Sequence, residues 1–448
     1  MTQSDIPSQV TVDITDFAHG GEGIGRVNSQ VVFVDGAVVG DRHVVVELDS
    51  ERSSTSLWRG VATAVGQEST LRADQAVSCL AAEEGAGCCD FLNVAPEKAA
   101  AAKAGIVVDQ MRRIGHIDVT PTYEALSPFR GWRTRMRLAV DESGRAGLRA
   151  RRSHHIVTGT TCSQAVPGLM DGIETMCFTP GAEVILAMDS DGVRHIVEVG
   201  GTLTSHPHDG RGVRQFSHSP RGRRGHAYII EGGDHCVERV PGVARSKLTG
   251  GKTMTVSADD RTFLLPATGF WQPHRAAAGR YRELVHELLP EVHGGVAWDL
   301  YGGVGLFADI LAGKTRGPVD SVEVDKSART WGRRSLQTLS ERPFRLPSIR
   351  FVTSRVDRSW SVLRRNNQGG VDLVVLDPPR KGAGKKVIQQ IAAANPRSVV
   401  HIACDPATGA RDYAEWLSHG YEISSIRVID AFPGTHHMEI IAALSKTS

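Results

Sequence analysis

An apolar run that breaks on a cluster of glycines constrains this chain more than any other stretch. Val296-Ala-Trp-Asp-Leu-Tyr reads as a strand, Gly302, Gly303 and Gly305 follow, and a helix is predicted over Phe307 to Ala312. Val319-Asp-Ser-Val-Glu-Val-Asp is then a second strand, closing on Glu323 and Asp325. Strand, tight turn, crossover helix and strand build a parallel sheet, and such a sheet needs helices over both faces. The glycines let the backbone approach a ligand closely, and an acid ending the second strand can accept both hydroxyls of a ribose. The spacing after Asp299-Leu-Tyr departs from the Gly-x-Gly-x-x-Gly of dinucleotide binders, although the glycines alone leave a nicotinamide cofactor open.

The same half continues the pattern. Val371-Asp-Leu-Val-Val-Leu is a continuous apolar run, as a strand buried on both faces requires, and it stops at Asp377-Pro-Pro-Arg380. Ser398-Val-Val-His-Ile-Ala is the next strand, broken by Cys404-Asp-Pro406. A strand that stops there puts the Cys404 thiol at a carboxyl end, where open α/β sheets hold their ligands. Cys404 is therefore a candidate nucleophile, against the commoner fate of a lone cysteine as a small buried hydrophobe. Tyr421 to Phe432 and the run from His437 to Leu444 are predicted to close the sheet as a hairpin, joined by Pro433-Gly-Thr-His-His.

At 448 residues the chain exceeds one core and is predicted to form two or three domains. A net charge of +2 rules out a general polycation, so any nucleic-acid surface must come from local clustering. No apolar run approaches the ~20 residues of a membrane span, and Met-Thr-Gln-Ser-Asp-Ile-Pro lacks the features of a secretory signal, so a cytoplasmic protein is expected. Seven cysteines in this length do not make a disulfide scaffold; in a reducing compartment some are expected to bind metal or catalyse.

Residues 1–66 read as a small β-barrel, with alternating strands around Gln9 to Asp16, Gln30 to Asp35, His43 to Asp49 and Trp58 to Val65. To residue 65 it holds nine acids and four arginines, a net of −5 that argues against this module gripping a phosphate backbone unaided. A central segment, 67–262, follows. It carries Cys79, Cys88, Cys89 and Cys162, four thiols that suit an iron–sulfur cluster or zinc, or are small buried residues in an Ala/Gly-rich stretch. A helix is predicted over Ala95 to Gly115. Next comes a basic hairpin on which Arg133, Arg135 and Arg137 alternate with Thr134, Met136 and Leu138, so that one face presents three guanidinium groups for RNA phosphates or, alternatively, for solvent. A second basic stretch, Arg211, Arg214, Arg221, Arg223 and Arg224, is predicted to be a loop. A hairpin over 251 to 264 and a helix from Arg275 to Leu289 lead into the third segment, 263–448.

Several motifs now combine. Gly-Glu-Gly-Ile-Gly-Arg and Val-Val-Phe-Val-Asp-Gly-Ala near the N-terminus resemble the TRAM domain, an OB-like module of RNA-modifying enzymes. Asp-Leu-Tyr-Gly-Gly-Val-Gly resembles motif I of S-adenosylmethionine (SAM) methyltransferases. Together with Asp-Pro-Pro-Arg, Ile-Ala-Cys-Asp-Pro-Ala-Thr and Phe-Pro-Gly-Thr-His-His-Met-Glu, in that order, the chain resembles the RNA (uracil-5-)-methyltransferase family over nearly its whole length. The resemblance implies an α/β fold: a Rossmann-like SAM-dependent domain, an N-terminal OB-like barrel and a central α+β domain. It also implies a monomer acting on structured RNA, 23S rRNA being favoured over the thymine loop of tRNA.

By the same resemblance, Cys404 adds to carbon 6 of uracil, carbon 5 takes the methyl group, and Glu439 removes the carbon 5 proton. Gln272, Tyr301 and Glu323 match cofactor-contact positions, and Asp377 contacts either the uracil edge or the cofactor, the cofactor side being favoured. Leu306 stands where many members have Asn, and Gly302 where many have Cys. His436 and His437 are substrate contacts or turn residues; Arg380 pairs with a phosphate or a surface acid. The rRNA-directed branch carries Cys-x5-Cys-x2-Cys and a distant Cys around a [4Fe–4S] cluster. Cys79, Cys88, Cys89 and Cys162 fall in the corresponding regions with altered spacing, Ala86 standing where a ligand is expected. An amino-directed methyltransferase using Asp377-Pro-Pro and a non-catalytic RNA-binding factor are the alternatives.

Overall fold

The computed structural model describes residues 6–447 apart from 55, 75–77, 152, 200–226, 230–252, 338–348 and 368, and gives the strand Ala227–Ile229 by its backbone. The basic stretch at Arg211, Arg214, Arg221, Arg223 and Arg224 lies outside the described residues. No helix among the described residues is long and apolar enough to cross a membrane.

Eight strands form the largest sheet, in the order Ile349–Thr353, Val319–Glu323, Ala297–Leu300, Leu373–Leu376, Ser398–Ala403, Glu439–Lys446, Tyr421–Asp430 and Thr122–Ala125. The first five run parallel, and Glu439–Lys446 is antiparallel to both of its neighbours. Chain order reverses between Ala297–Leu300 and Leu373–Leu376, the switch point at which open α/β sheets leave a crevice. Every residue of Leu373–Leu376 and Ser398–Ala403 is buried, because helices cover both faces. Ala277–Leu288 and Ala308–Thr315 pack on one side, with the hairpin Thr253–Ala258 and Arg261–Pro266. Pro96–Gln110, Lys385–Ala393 and Pro406–Ser418 pack on the other. Helix Pro96–Gln110 thus belongs to the core of this sheet and strand Thr122–Ala125 to its edge, although both precede the central sheet in the chain.

The central sheet is antiparallel throughout, in the order Ile156–Thr158, Ala146–Arg149, Arg135–Val140, Glu183–Met188, Arg194–Val199 and Ala227–Ile229. The N-terminal sheet runs Gln9–Val12, Arg42–Leu48, Leu57–Gln67, Gln30–Asp35, Gly23–Val27 and Ile14–Phe17. Its core is small: Val12, Val32, Val34, Val44, Val46 and Trp58. A Cβ at Gly60 would lie 2.3 Å from the Glu47 carbonyl oxygen, so the two strands pass too closely for any side chain there. Part of the acid excess is turned inward. Glu22 pairs with Arg59, Asp35 with Arg52 and Arg151, and buried Asp41 with Arg72.

Candidate active site

A cleft of about 1200 Å³ opens at the carboxyl ends of the large sheet. Six residues expected at the site, Gln272, Tyr301, Glu323, Asp377, Cys404 and Glu439, all line it. They come from six different strand ends or loops, so the sheet, rather than any single segment, assembles the site.

On one side the glycine turn sets the wall. Tyr301, Gly303 and Gly305 take φ of 62°, 54° and 85°, which sends the chain sharply over the strand end. Gly302 has no space for a side chain: a Cβ would sit 2.3 Å from Asp299 Oδ2. That carboxylate is buried, accepts the Ser321 hydroxyl at 2.9 Å, and is pushed up to about 7 chiefly by loss of solvent. Glu323 accepts the Gly303 amide with one oxygen and the Val324 and Asp325 amides with the other. The second-strand acid is therefore tied to the glycine turn. Leu306 turns into the core and does not line the cleft.

On the other side stand Cys404, Asp377 and Glu439. Burial pushes the Cys404 thiol up to about 12; Glu439 and Asp377 add to the rise and Arg380 opposes it. Asp377 is raised by burial to about 7, and Glu439 is held well above the carboxylate range by burial and then by Asp377. Two crowded carboxyls in a dry site cannot both ionise cheaply, so they keep proton between them. The resting thiol is neutral, with groups beside it that exchange protons.

The C-terminal loop carries the next layer. Arg380 reaches His437 Nε2 at 3.1 Å. Burial lowers His437 to about 3, so its neutral ring accepts from the guanidinium. His436 is held by Asp90, whose Oδ1 accepts its amide at 2.7 Å and whose Oδ2 lies 2.5 Å from Nδ1. Buried Lys103 donates to Asp430 Oδ1 at 2.5 Å and to the His437 carbonyl at 2.8 Å. Helix Pro96–Gln110 thereby pins both ends of the loop that leads to Glu439. Asp90, Lys103, Asp430 and the fully buried Tyr281, whose hydroxyl feels Glu439, Asp377 and Cys404, were not found by sequence reasoning. Each is a lone polar residue in an apolar or turn context, with no motif to mark it.

The four cysteines of the central segment converge. The sulfurs of Cys79, Cys89 and Cys162 lie within 4.8 Å of one another, and Cys88 Sγ is 3.6 Å from Cys89 Sγ. All four are free. Thiol donation from Cys162 and then Cys89 lowers Cys88 to about 4, while the same contacts push Cys89 up. The adjacent pair does face one point, despite the irregular spacing. Four thiols without a carboxylate or imidazole among them fit a zinc ion or an iron–sulfur cluster. Cys88 also lines the cleft.

The arginine face divides. Arg133 lines the cleft, but Arg135 turns inward and donates to the Ala267 carbonyl at 2.6 Å. Arg137 is exposed and spent on Glu183 at 2.8 Å. The expectation of three guanidiniums presented together is corrected: strand alternation held for the backbone, but the side chains found separate acceptors.

Residues 356–447 fit the model for tRNA (uracil-5-)-methyltransferase and residues 6–49 that for the TRAM domain. An uncharacterized RNA methyltransferase of Corynebacterium glutamicum is 39% identical, across 98% of this chain and 97% of its own. One of Streptomyces coelicolor is 32% identical, across 98% and 93%. The chain belongs to the RNA (uracil-5-)-methyltransferase family. It is a SAM-dependent RNA methyltransferase with an N-terminal TRAM domain. The Pyrococcus abyssi tRNA (uracil-54, C5)-methyltransferase, solved with S-adenosyl-L-homocysteine, shares the fold with a TM-score of 0.66 at 19% identity, over 97% of this chain and 100% of that one.

Proposed function

We propose that the enzyme methylates carbon 5 of a uridine in 23S rRNA through a covalent bond between Cys404 and the base. The observation that carries the reading is the convergence of Cys404, Asp377 and Glu439 in the cleft that also holds Gln272, Tyr301 and Glu323. A methyl donor and a nucleophile must meet in one cavity, and an amino-directed methyltransferase has no use for a thiol between two carboxyls.

Carbon 5 of uracil is a weak nucleophile. Cys404 gives up its proton to the Asp377–Glu439 pair, and the sulfur adds to carbon 6. The electron pair of the 5,6 double bond moves to carbon 5 as an enolate, which takes the methyl from the sulfonium of SAM. The pair passes the thiol's proton on to solvent and keeps its shared proton on Asp377, so that ionised Glu439 removes the carbon 5 proton; the double bond re-forms, the carbon–sulfur bond breaks, and the departing thiolate takes that proton back from Glu439. Gln272, Tyr301 and Glu323 hold the methyl donor, with Glu323 oriented by the glycine turn. Arg133 faces the RNA from the cleft wall.

Cys79, Cys88, Cys89 and Cys162 hold a [4Fe–4S] cluster, which when bound ties two distant segments into one wall of the cleft. The cluster favours rRNA over tRNA, since the family's rRNA-directed branch is the one that carries it. Mapping 5-methyluridine by mass in total RNA from a deletion strain is the test. Loss from one 23S rRNA fragment is expected; loss from the thymine loop of tRNA instead would move the substrate to tRNA, and no loss would overturn the reading.

A further inference from the structure

His19 lies in the turn between two barrel strands, Ile14–Phe17 and Gly23–Val27, yet its Nε2 is 2.9 Å from Asp405 Oδ2, on the residue next to Cys404. Its ring meets His436 edge-on, with centroids 5.7 Å apart. Gly21 of the same turn packs so tightly that a Cβ would lie 3.2 Å from the His436 Cβ and 3.3 Å from the Asp90 carbonyl oxygen. Its φ of +82° also excludes a side chain. The first turn of the barrel therefore touches both loops of the large sheet that deliver reactive groups, the one after Cys404 and the one before Glu439.

Asp405 has two separate partners. Its Oδ1 accepts the Thr408 amide at 2.8 Å and caps helix Pro406–Ser418. Its Oδ2 is taken by His19. Without His19 that oxygen would lose the partner that the barrel supplies, and the carboxylate beside the thiol would be held by its helix cap alone. The barrel's charge points the same way. Asp13, Asp16, Glu47 and Glu51 are exposed, while Arg59, Arg52 and Arg72 are engaged by the buried acids Glu22, Asp35 and Asp41, which is a poor surface for RNA phosphates.

We propose that the TRAM domain of this enzyme is a positioning element of the methyl-transfer site, in which His19 fixes Asp405 and through it the direction of the Cys404 thiol. The proposal rests on the reading of Cys404 as the nucleophile. The chemistry is unchanged by it: His19 makes no bond to base or cofactor, and acts by holding a neighbour of the reacting sulfur. A displacement of ~1 Å at a reacting atom costs up to ~10²-fold in rate, so a single lost contact behind it is expected to cost about ten-fold.

The test is single-turnover adduct formation by the full-length protein, with SAM and 5-fluorouridine-substituted RNA, read at saturating RNA and as a function of RNA concentration. His19→Ala is expected to slow the step about ten-fold with the half-saturating RNA concentration unchanged. His19→Gln, whose amide can still donate to Asp405, restores most of the rate. Asp405→Ser keeps the helix cap, removes the partner of His19, and loses the same factor; adding His19→Ala to it costs nothing further. A His19→Ala protein with an unaltered rate and a raised half-saturating RNA concentration would overturn the proposal and make the turn an RNA contact. So would additive losses in the double variant. Should His19→Ala unfold, the Asp405→Ser and His19→Gln pair decides alone: equal rates overturn it. Absence of adduct in the unaltered protein would overturn the nucleophile itself, a different failure.

Discussion

Two cysteine sites border the cleft, one through Cys88 and the other through Cys404, and their surroundings differ in kind. Cys79, Cys88, Cys89 and Cys162 have chiefly one another for neighbours, on loops, and the set stabilises a thiolate at Cys88. Cys404 sits at a strand end, where burial and then its two carboxyl neighbours hold its proton on. The same side chain is thus prepared for metal in one place and for reversible carbon–sulfur bonding in the other. A nucleophile gains reactivity from a site that does not over-stabilise its thiolate, whereas a metal ligand gains affinity from one that does.

The difference breaks down most visibly when each site is altered in turn. Cys404→Ala is expected to lower methyl transfer by ~10⁴-fold or more while leaving SAM affinity intact by calorimetry; activity within ten-fold of the unaltered enzyme would remove the nucleophile. Glu439→Gln should reduce turnover by ~10²–10⁴-fold and, unlike Cys404→Ala, let a covalent protein–RNA band accumulate on denaturing gels. Cys89→Ser acts on the other site and is expected to cost ~10–100-fold, as losing a metal's support does, with reduced iron content by elemental analysis. An iron content unchanged by Cys89→Ser, or absent from anaerobically purified protein, would leave the quartet as packing.

The smallest effect is a pH shift. Asp377, raised to about 7 by burial, is protonated below neutrality beside a Glu439 that burial also holds above the carboxylate range, so the pair loses its capacity to accept the Cys404 proton there. Adduct formation is expected to fall as pH drops through about 7, and Asp377→Asn, by removing the charge that raises Glu439, moves that limb to lower pH by about one unit. Raised carboxyls also have a stability consequence. The folded chain keeps protons on Asp299 and Asp377 that the unfolded chain has released, so stability falls as pH rises from about 4 through 7. Thermal unfolding across that range measures it.

The large sheet was legible because its strands are apolar runs stopped by glycine or proline, as at Tyr301 and Asp377. Strands Thr122–Ala125 and Ile349–Thr353 were missed. The first is a mostly exposed edge, Thr-Tyr-Glu-Ala, and neither carries a periodic pattern long enough to read. Cys404, Glu439, Asp377, Gln272, Tyr301 and Glu323 could be singled out because they end strands or stand in recognisable motifs, and all six line one cleft. Lys103, Asp430, Asp90 and His19 were not, because their work depends on contacts across up to 386 residues of sequence. The arginine hairpin marks the opposite limit. Alternation gave the face of each residue, but only packing decides that Arg135 serves Ala267, Arg137 serves Glu183 and Arg133 alone reaches the cleft.

The central claim is that Cys404 bonds to the base. Its most direct measurement is peptide mass spectrometry of the enzyme after turnover on 5-fluorouridine RNA with SAM, since fluorine at carbon 5 cannot be removed as a proton and the adduct stalls. A methylated fluorouridine fragment on the peptide containing Cys404 is the predicted result. An adduct on another residue, or one that survives Cys404→Ala, would contradict it.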